Sequence, residues 1–145
     1  MRILCFDVGE KRIGVAVSDE LGITAQGVEV IPRVNLSRDL KRIKELVERY
    51  EAQKIVLGFP VNMNGTLGQK AKELLDFKSY LEKNLSIPLE TWDERLTTRA
   101  AQRALLEGNV RRAGRKKVVD MLAASLILDN YLQYQRSQND KPRKD

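Results

Sequence analysis

The 145-residue chain has no histidine, and Cys5 is its single cysteine. The missing histidine excludes His general bases, Ser-His and Cys-His nucleophile systems and HExxH zinc sites together. One cysteine cannot close an internal disulfide, and without histidine it cannot build a structural zinc site. Any metal would fall to carboxylates, carbonyls and water, the ligand set that suits Mg2+ or Mn2+. Long hydrophobic runs are also missing: no apolar stretch approaches the ~18 residues that suggest a membrane span. The N-terminus reads as a strand and lacks the basic start and apolar core of a signal peptide. Together these absences predict a cytoplasmic protein with no membrane partner.

Apolar residues make up 42% of the chain and charged residues 32%, which places it among soluble globular proteins. Its length fits one domain, expected over residues 1–136, with the polar tail SQNDKPRKD (137–145) read as disordered. The net charge of +6 is unevenly spread. Residues 95–117 hold eight Arg or Lys and only one acid, Glu107, so the remainder is close to neutral. A clustered basic segment on a near-neutral body is the footprint of a polyanion partner. Its plainer reading is a solvated basic loop.

Residues 2–8, 12–18 and 24–31 read as three strands joined by short turns, hence an antiparallel meander. Leu36, Leu40, Ile43, Val47 and Tyr50 recur at helical spacing behind Ser37, a plausible N-cap. KIVLGFP (54–60) is a fourth strand and VNMNGTLG (61–68) a polar loop. Residues 69–85 give a second helix and PLETWDE (88–94) a fifth strand. A third helix is expected from Thr97 or Thr98 to Gly108, then a basic loop, then a last helix over about 117–136. The order βββαβαβαα predicts an α/β fold, a mixed five-stranded sheet with helices on both faces.

In open α/β sheets, sites form at the carboxyl ends of strands. Asp7 ends the first strand, and Asp93 and Glu94 end the fifth. Asp120 lies in the last helix between Val118, Val119, Met121 and Leu122. If the first and fifth strands are parallel and near the sheet centre, these acids share a rim. Carboxylates gathered on one rim repel one another unless a cation is held between them. Two divalent ions bridged by carboxylates suit in-line phosphodiester cleavage, which needs no histidine. Each acid also has a plainer reading: a turn residue, a surface ion pair, a helix-dipole partner. Trp92 reads as a core residue, with base stacking as the alternative.

FDVGEKRIGVAVSDE (6–20), VLGFPVNMNGT (56–66), WDERLTT (92–98) and KKVVDMLAASLIL (116–128) resemble, in order, the four signature blocks of the YqgF family. That family is described as pre-16S ribosomal RNA nucleases and Holliday-junction-resolvase-like proteins of ribonuclease H-like fold. The resemblance covers residues 1 to about 135. It implies a metal-dependent endonuclease acting in 16S precursor processing, with Asp7, Glu94 and Asp120 as catalytic metal ligands and Asp93 as the alternative to Glu94. It implies two Mg2+ or Mn2+ ions. Better-known junction resolvases of this fold carry a glutamate at the end of the fourth strand, whereas here that strand ends in Gly58-Phe59-Pro60. Substrate choice is therefore not carried over from those resolvases: the resemblance implies structured RNA as the favoured substrate, with a DNA junction the other candidate and a ribosomal precursor particle a further partner.

Nucleic-acid contacts are expected from the loop residues Asn62, Asn64, Gly65 and Thr66 and from Lys11 and Arg12 in the first hairpin. Arg95, Arg99 and Arg103, spaced by four, and Arg111, Arg112, Arg115, Lys116 and Lys117 extend that surface. A non-catalytic RNA- or ribosome-binding module is the competing function. A kinase-like nucleotide site, suggested by Asp-Val-Gly, would need a second domain that 145 residues do not provide.

Overall fold

Leu4 and Phe6 are fully buried on one side of the first strand, and Ile3 and Cys5 are equally buried on the other. A strand apolar on both faces belongs in the middle of a sheet covered on both sides. The computed structural model describes residues 1–60, 67–94 and 115–139. It contains β1 (Ile3–Val8), β2 (Arg12–Ser18), β3 (Ala25–Pro32), α1 (Leu36–Arg49), β4 (Lys54–Phe59), α2 (Gln69–Asn84), β5 (Leu89–Asp93) and α3 (Arg115–Asn139). The sheet order is β3-β2-β1-β4-β5. β1, β2 and β3 form the antiparallel meander, while β4 runs parallel to β1 and β5 parallel to β4.

The expected mixed five-stranded sheet is present, with β1 at its centre. β5 is an edge strand rather than a central one. Its direction still brings its carboxyl end to the same rim as those of β1 and β4, with β4 between them. Leu40, Ile43 and Leu46 of α1 and Leu74, Phe77 and Leu81 of α2 cover the face bearing Leu4, Phe6, Ile55 and Leu57. Ala124, Ile127, Leu128 and Tyr131 of α3 cover the opposite face, bearing Ile3, Cys5, Ala16 and Val56. The third helix expected near 97–108 lies outside the described residues. α3 runs on to Asn139, so Ser137–Asn139 are helical rather than tail.

α1 is capped by Asn35, not Ser37: Asn35 is extended (φ −157°) and its Oδ1 accepts the Arg38 N–H at 2.9 Å. Asn and Ser cap equally well, and two cap-competent residues so close leave the choice to the backbone. Asp39, in the first turn, is only 3% exposed. It accepts the Val34 N–H at 3.2 Å and pairs with the Arg33 Nε at 3.5 Å. Arg33 in turn donates to the Gly9 carbonyl at 2.9 Å and lies 5.0 Å from the Phe77 ring centre. One guanidinium thus ties the β1–β2 hairpin to α1 and α2. Asp39→Ala leaves that cation without its buried partner; a loss of about 2–3 kcal/mol is expected. Thermal denaturation should show a Tm lower by about 6–12 °C.

At the other end of the sheet, Lys54 pairs with Glu90 and donates to the Tyr131 hydroxyl, which donates to Glu90 Oε2 at 2.7 Å. Burial pushes the Glu90 carboxyl up, but the hydrogen bonds from Lys54 and Tyr131 outweigh it and hold it below its ordinary value. A carboxyl depressed on folding stabilises the protein above its unfolded pKa, and that stability is lost as pH falls through the folded value. Tm should therefore drop on the acid side more steeply in wild type than in Glu90→Gln, as a pH series of melting curves would show. Trp92 sits beside this network, 8% exposed, its indole N–H donating to Asn130 Oδ1 at 3.0 Å and its ring edge-on to Tyr131. The core reading of Trp92 holds, and base stacking does not: the ring is enclosed by α3.

Candidate active site

Strand parity decides which acids can meet. Ile3 and Cys5 face α3, so Asp7, two residues on, shares that face. Asp7 is paired across the hairpin with Gly14 of β2. A Cβ built on Gly14 would lie 2.1 Å from the Asp120 carbonyl oxygen. The α3 backbone therefore rests directly on β2 at this residue, which carries Asp120 to the strand position opposite Asp7. Asp120 lies beyond the first turn of α3, where the helix dipole no longer accounts for an acid.

On β5, Trp92 pairs with Gly58 of β4 and faces α3. Period two then puts Glu94 on the face of Asp7 and Asp93 on the opposite one. The position of the Glu94 side chain agrees: a Cβ on Gly58 would lie 2.8 Å from Glu94 Oε1. Gly58 is thus the gap through which Glu94 lies across β4 toward β1. The fourth strand lacks its own acid, and its missing side chain makes room for one from the neighbouring strand.

Asp7, Glu94 and Asp120 line one cleft of ≈ 340 Å³ at the carboxyl rim, together with Glu10, Glu73 and Lys70. Asp93 does not line it. Among the described residues, five acids and one lysine line it, a negative cluster in a chain of net charge +6. Asp120 Oδ2 is held by Arg12 Nε at 2.7 Å, with the two side chains 34% (Arg12) and 21% (Asp120) exposed. Among the described residues no three acids stand close enough together to form a ready-made cation site. The donor set nonetheless suits a hard divalent cation: all oxygen, mostly carboxylate, and open on one side.

The remaining sequence candidates divide by position. Lys11 is exposed on the hairpin beside the cleft. Arg12, expected on the nucleic-acid surface, is turned onto Asp120. Arg115, Lys116 and Lys117 form the start of α3. Asn62, Asn64, Gly65, Thr66, Arg95, Arg99, Arg103, Arg111 and Arg112 lie outside the described residues. Sequence reasoning missed Gly14 and Gly58, which make room for Asp120 and Glu94, and Arg33, which ties the hairpin at Gly9 to α1 and α2. A glycine inside a strand was the available signal, since it often marks close approach by another backbone.

A family model described as "RuvX: Holliday junction resolvase" matches residues 1–134. A protein of Heliobacterium modesticaldum named "Putative pre-16S rRNA nuclease" is 57% identical over 132 residues, covering 91% of this chain and 89% of its own length. A protein of the same name from Halothermothrix orenii is 51% identical over 135 residues, 93% of this chain and 96% of its own length. In shape, the chain matches T. thermophilus RuvC in complex with a Holliday junction substrate, with a TM-score of 0.61 at 18% identity over 99% of both chains. That likeness shows the ribonuclease H-like fold. With fold, signature blocks and relatives in agreement over nearly its whole length, the chain belongs to the RuvX (YqgF) family.

Proposed function

We propose that this chain is a divalent-metal-dependent endonuclease that hydrolyses phosphodiester bonds in the 16S ribosomal RNA precursor. The observation that carries the reading is the shared cleft. Three elements distant in sequence bring Asp7, Glu94 and Asp120 to one rim, on one face, in a pocket whose charge calls for cations. The names of the family relatives support the choice of RNA.

Asp7, Glu94 and Asp120 would hold the ions. When bound, Mg2+ or Mn2+ would supply an activated water and stabilise the leaving oxygen. The chain's own residues do the rest. Asp7, fixed by its hairpin pairing with Gly14, sets the floor of the cleft. Glu94, laid across Gly58, approaches from the far edge of the sheet. Lys70 at the wall offers a positive charge to a phosphate oxygen. The basic segment between β5 and α3 tracks the nucleic-acid backbone and makes binding steeply salt-dependent.

The experiment is cleavage of a labelled 16S precursor RNA and a labelled four-way DNA junction, each in Mg2+, in Mn2+ and in chelator. Metal-dependent cutting of the RNA with the junction intact is the expected result. Cutting of the junction alone would move the substrate to DNA. Tight binding with no cleavage of either, nor of an assembled precursor particle, would make the chain a binding module.

A further inference from the structure

We propose that Arg12 is a resident counter-cation of the cleft: it holds Asp120 while no divalent ion is bound, yields the carboxylate when the ion arrives, and turns its guanidinium onto a substrate phosphate. The inference rests on the metal-dependent reading above and adds a role for a residue outside the carboxylate set.

Three observations carry it. The first is place. Arg12 opens β2, directly after the exposed Lys11, and its side chain reaches Asp120, one of the five acids that line the cleft among the described residues. A negative pocket recruits whatever cation is within reach, and Arg12 Nε lies 2.7 Å from Asp120 Oδ2.

The second is the form of the contact. It is made through Nε to a single oxygen, and among the described residues it is the guanidinium's only hydrogen bond. Both side chains are partly exposed. Such a pair is screened and weak compared with a buried two-pronged fork, so a divalent ion can displace it.

The third is what displacement makes available. A guanidinium presents a planar fork of donors that matches phosphate. Released from Asp120, it is left beside the carboxylates that would hold the ion, where the scissile phosphate must sit.

The exchange makes opposite demands on two measurements. Calorimetric titration of Mn2+ into the full chain without nucleic acid should show Arg12→Gln binding the ion about five- to tenfold tighter than wild type, with Arg12→Lys in between. Equal or weaker binding by Arg12→Gln would overturn the exchange. Near-ultraviolet circular dichroism of Trp92 establishes that each variant is folded. In the second measurement, precursor RNA binding is read at several salt concentrations before turnover. In Mn2+, the slope of log affinity against log salt should be shallower by about one for Arg12→Gln than for wild type; in chelator the two slopes should match. A slope that falls equally in chelator would mean that Arg12 reaches phosphate without leaving Asp120, which also overturns the proposal. Asp7→Asn separates the two levels. If wild type and Asp7→Asn bind Mn2+ equally, or neither binds it, the metal reading itself fails. If Asp7→Asn alone loses binding while Arg12→Gln matches wild type, only the Arg12 exchange fails.

Discussion

Asp7→Asn is expected to slow cleavage by about 10³-fold or more with only a small change in Tm. Electrostatic stabilisation by a bound ion is worth several kcal/mol in the transition state, and each 1.36 kcal/mol is a factor of about ten in rate. Asparagine keeps the shape of Asp7 and one oxygen but removes the charge that holds the ion. The fold should be little affected, because asparagine keeps the size of Asp7 and its place in the β1–β2 ladder. Loss of activity without loss of stability separates a site residue from a structural one. Glu94→Gln should behave like Asp7→Asn. Asp93→Asn, on the other face of β5, should stay within about threefold of wild type. Single-turnover rates and melting curves for the three variants, measured side by side, test the strand parity that assigns the site to Glu94.

Gly14→Ala has the other large expected effect, and it strikes fold and activity together. The added methyl would sit 2.1 Å from the Asp120 carbonyl oxygen and 2.7 Å from its carbonyl carbon, both backbone atoms. Neither a rotamer change nor a flexible side chain can give way, so α3 must lift off β2. Overpacking a well-filled core costs about 1–3 kcal/mol, and a backbone-on-backbone clash belongs at or above the top of that range. Tm should fall by about 10 °C or more. Cleavage should be lost even well below Tm, because the same movement carries Asp120 away from Asp7. Gly58→Ala is the informative comparison. Its Cβ meets the tips of flexible side chains, Glu94 Oε1 at 2.8 Å and Ile127 Cδ1 at 2.9 Å. It should cost only about 1 kcal/mol in stability, yet still impair cleavage by displacing Glu94.

These two glycines mark where sequence reading ran out. Apolar runs and turn residues were enough for the meander, the later β–α alternation and the two-sided sheet, because period and burial are local signals. Asp7, Glu94 and Asp120 stood out because each acid interrupts or ends an apolar stretch. The choice between Asp93 and Glu94 depends on which face Trp92 takes, and that is a matter of register against β4, which one strand cannot reveal. Gly58-Phe59-Pro60 looked like a missing acid and is instead the space a neighbouring acid fills. Charge counting assigned Arg12 to the nucleic-acid surface. It had no means of showing that residues 108 apart in the chain, Arg12 and Asp120, form a pair. Arg33 carried no sequence signal at all, since its partners Asp39, Gly9 and Phe77 come from three elements.

On the proposed function, Asp7, Glu94 and Asp120 together hold divalent ions in the rim cleft. Anomalous diffraction from crystals of the full chain soaked in Mn2+ tests it most directly. Manganese peaks within carboxylate-bonding distance of all three side chains, with Arg12 turned away from Asp120, are the expected result. Manganese absent from the cleft, or bound there without Asp7 or Glu94, would contradict it.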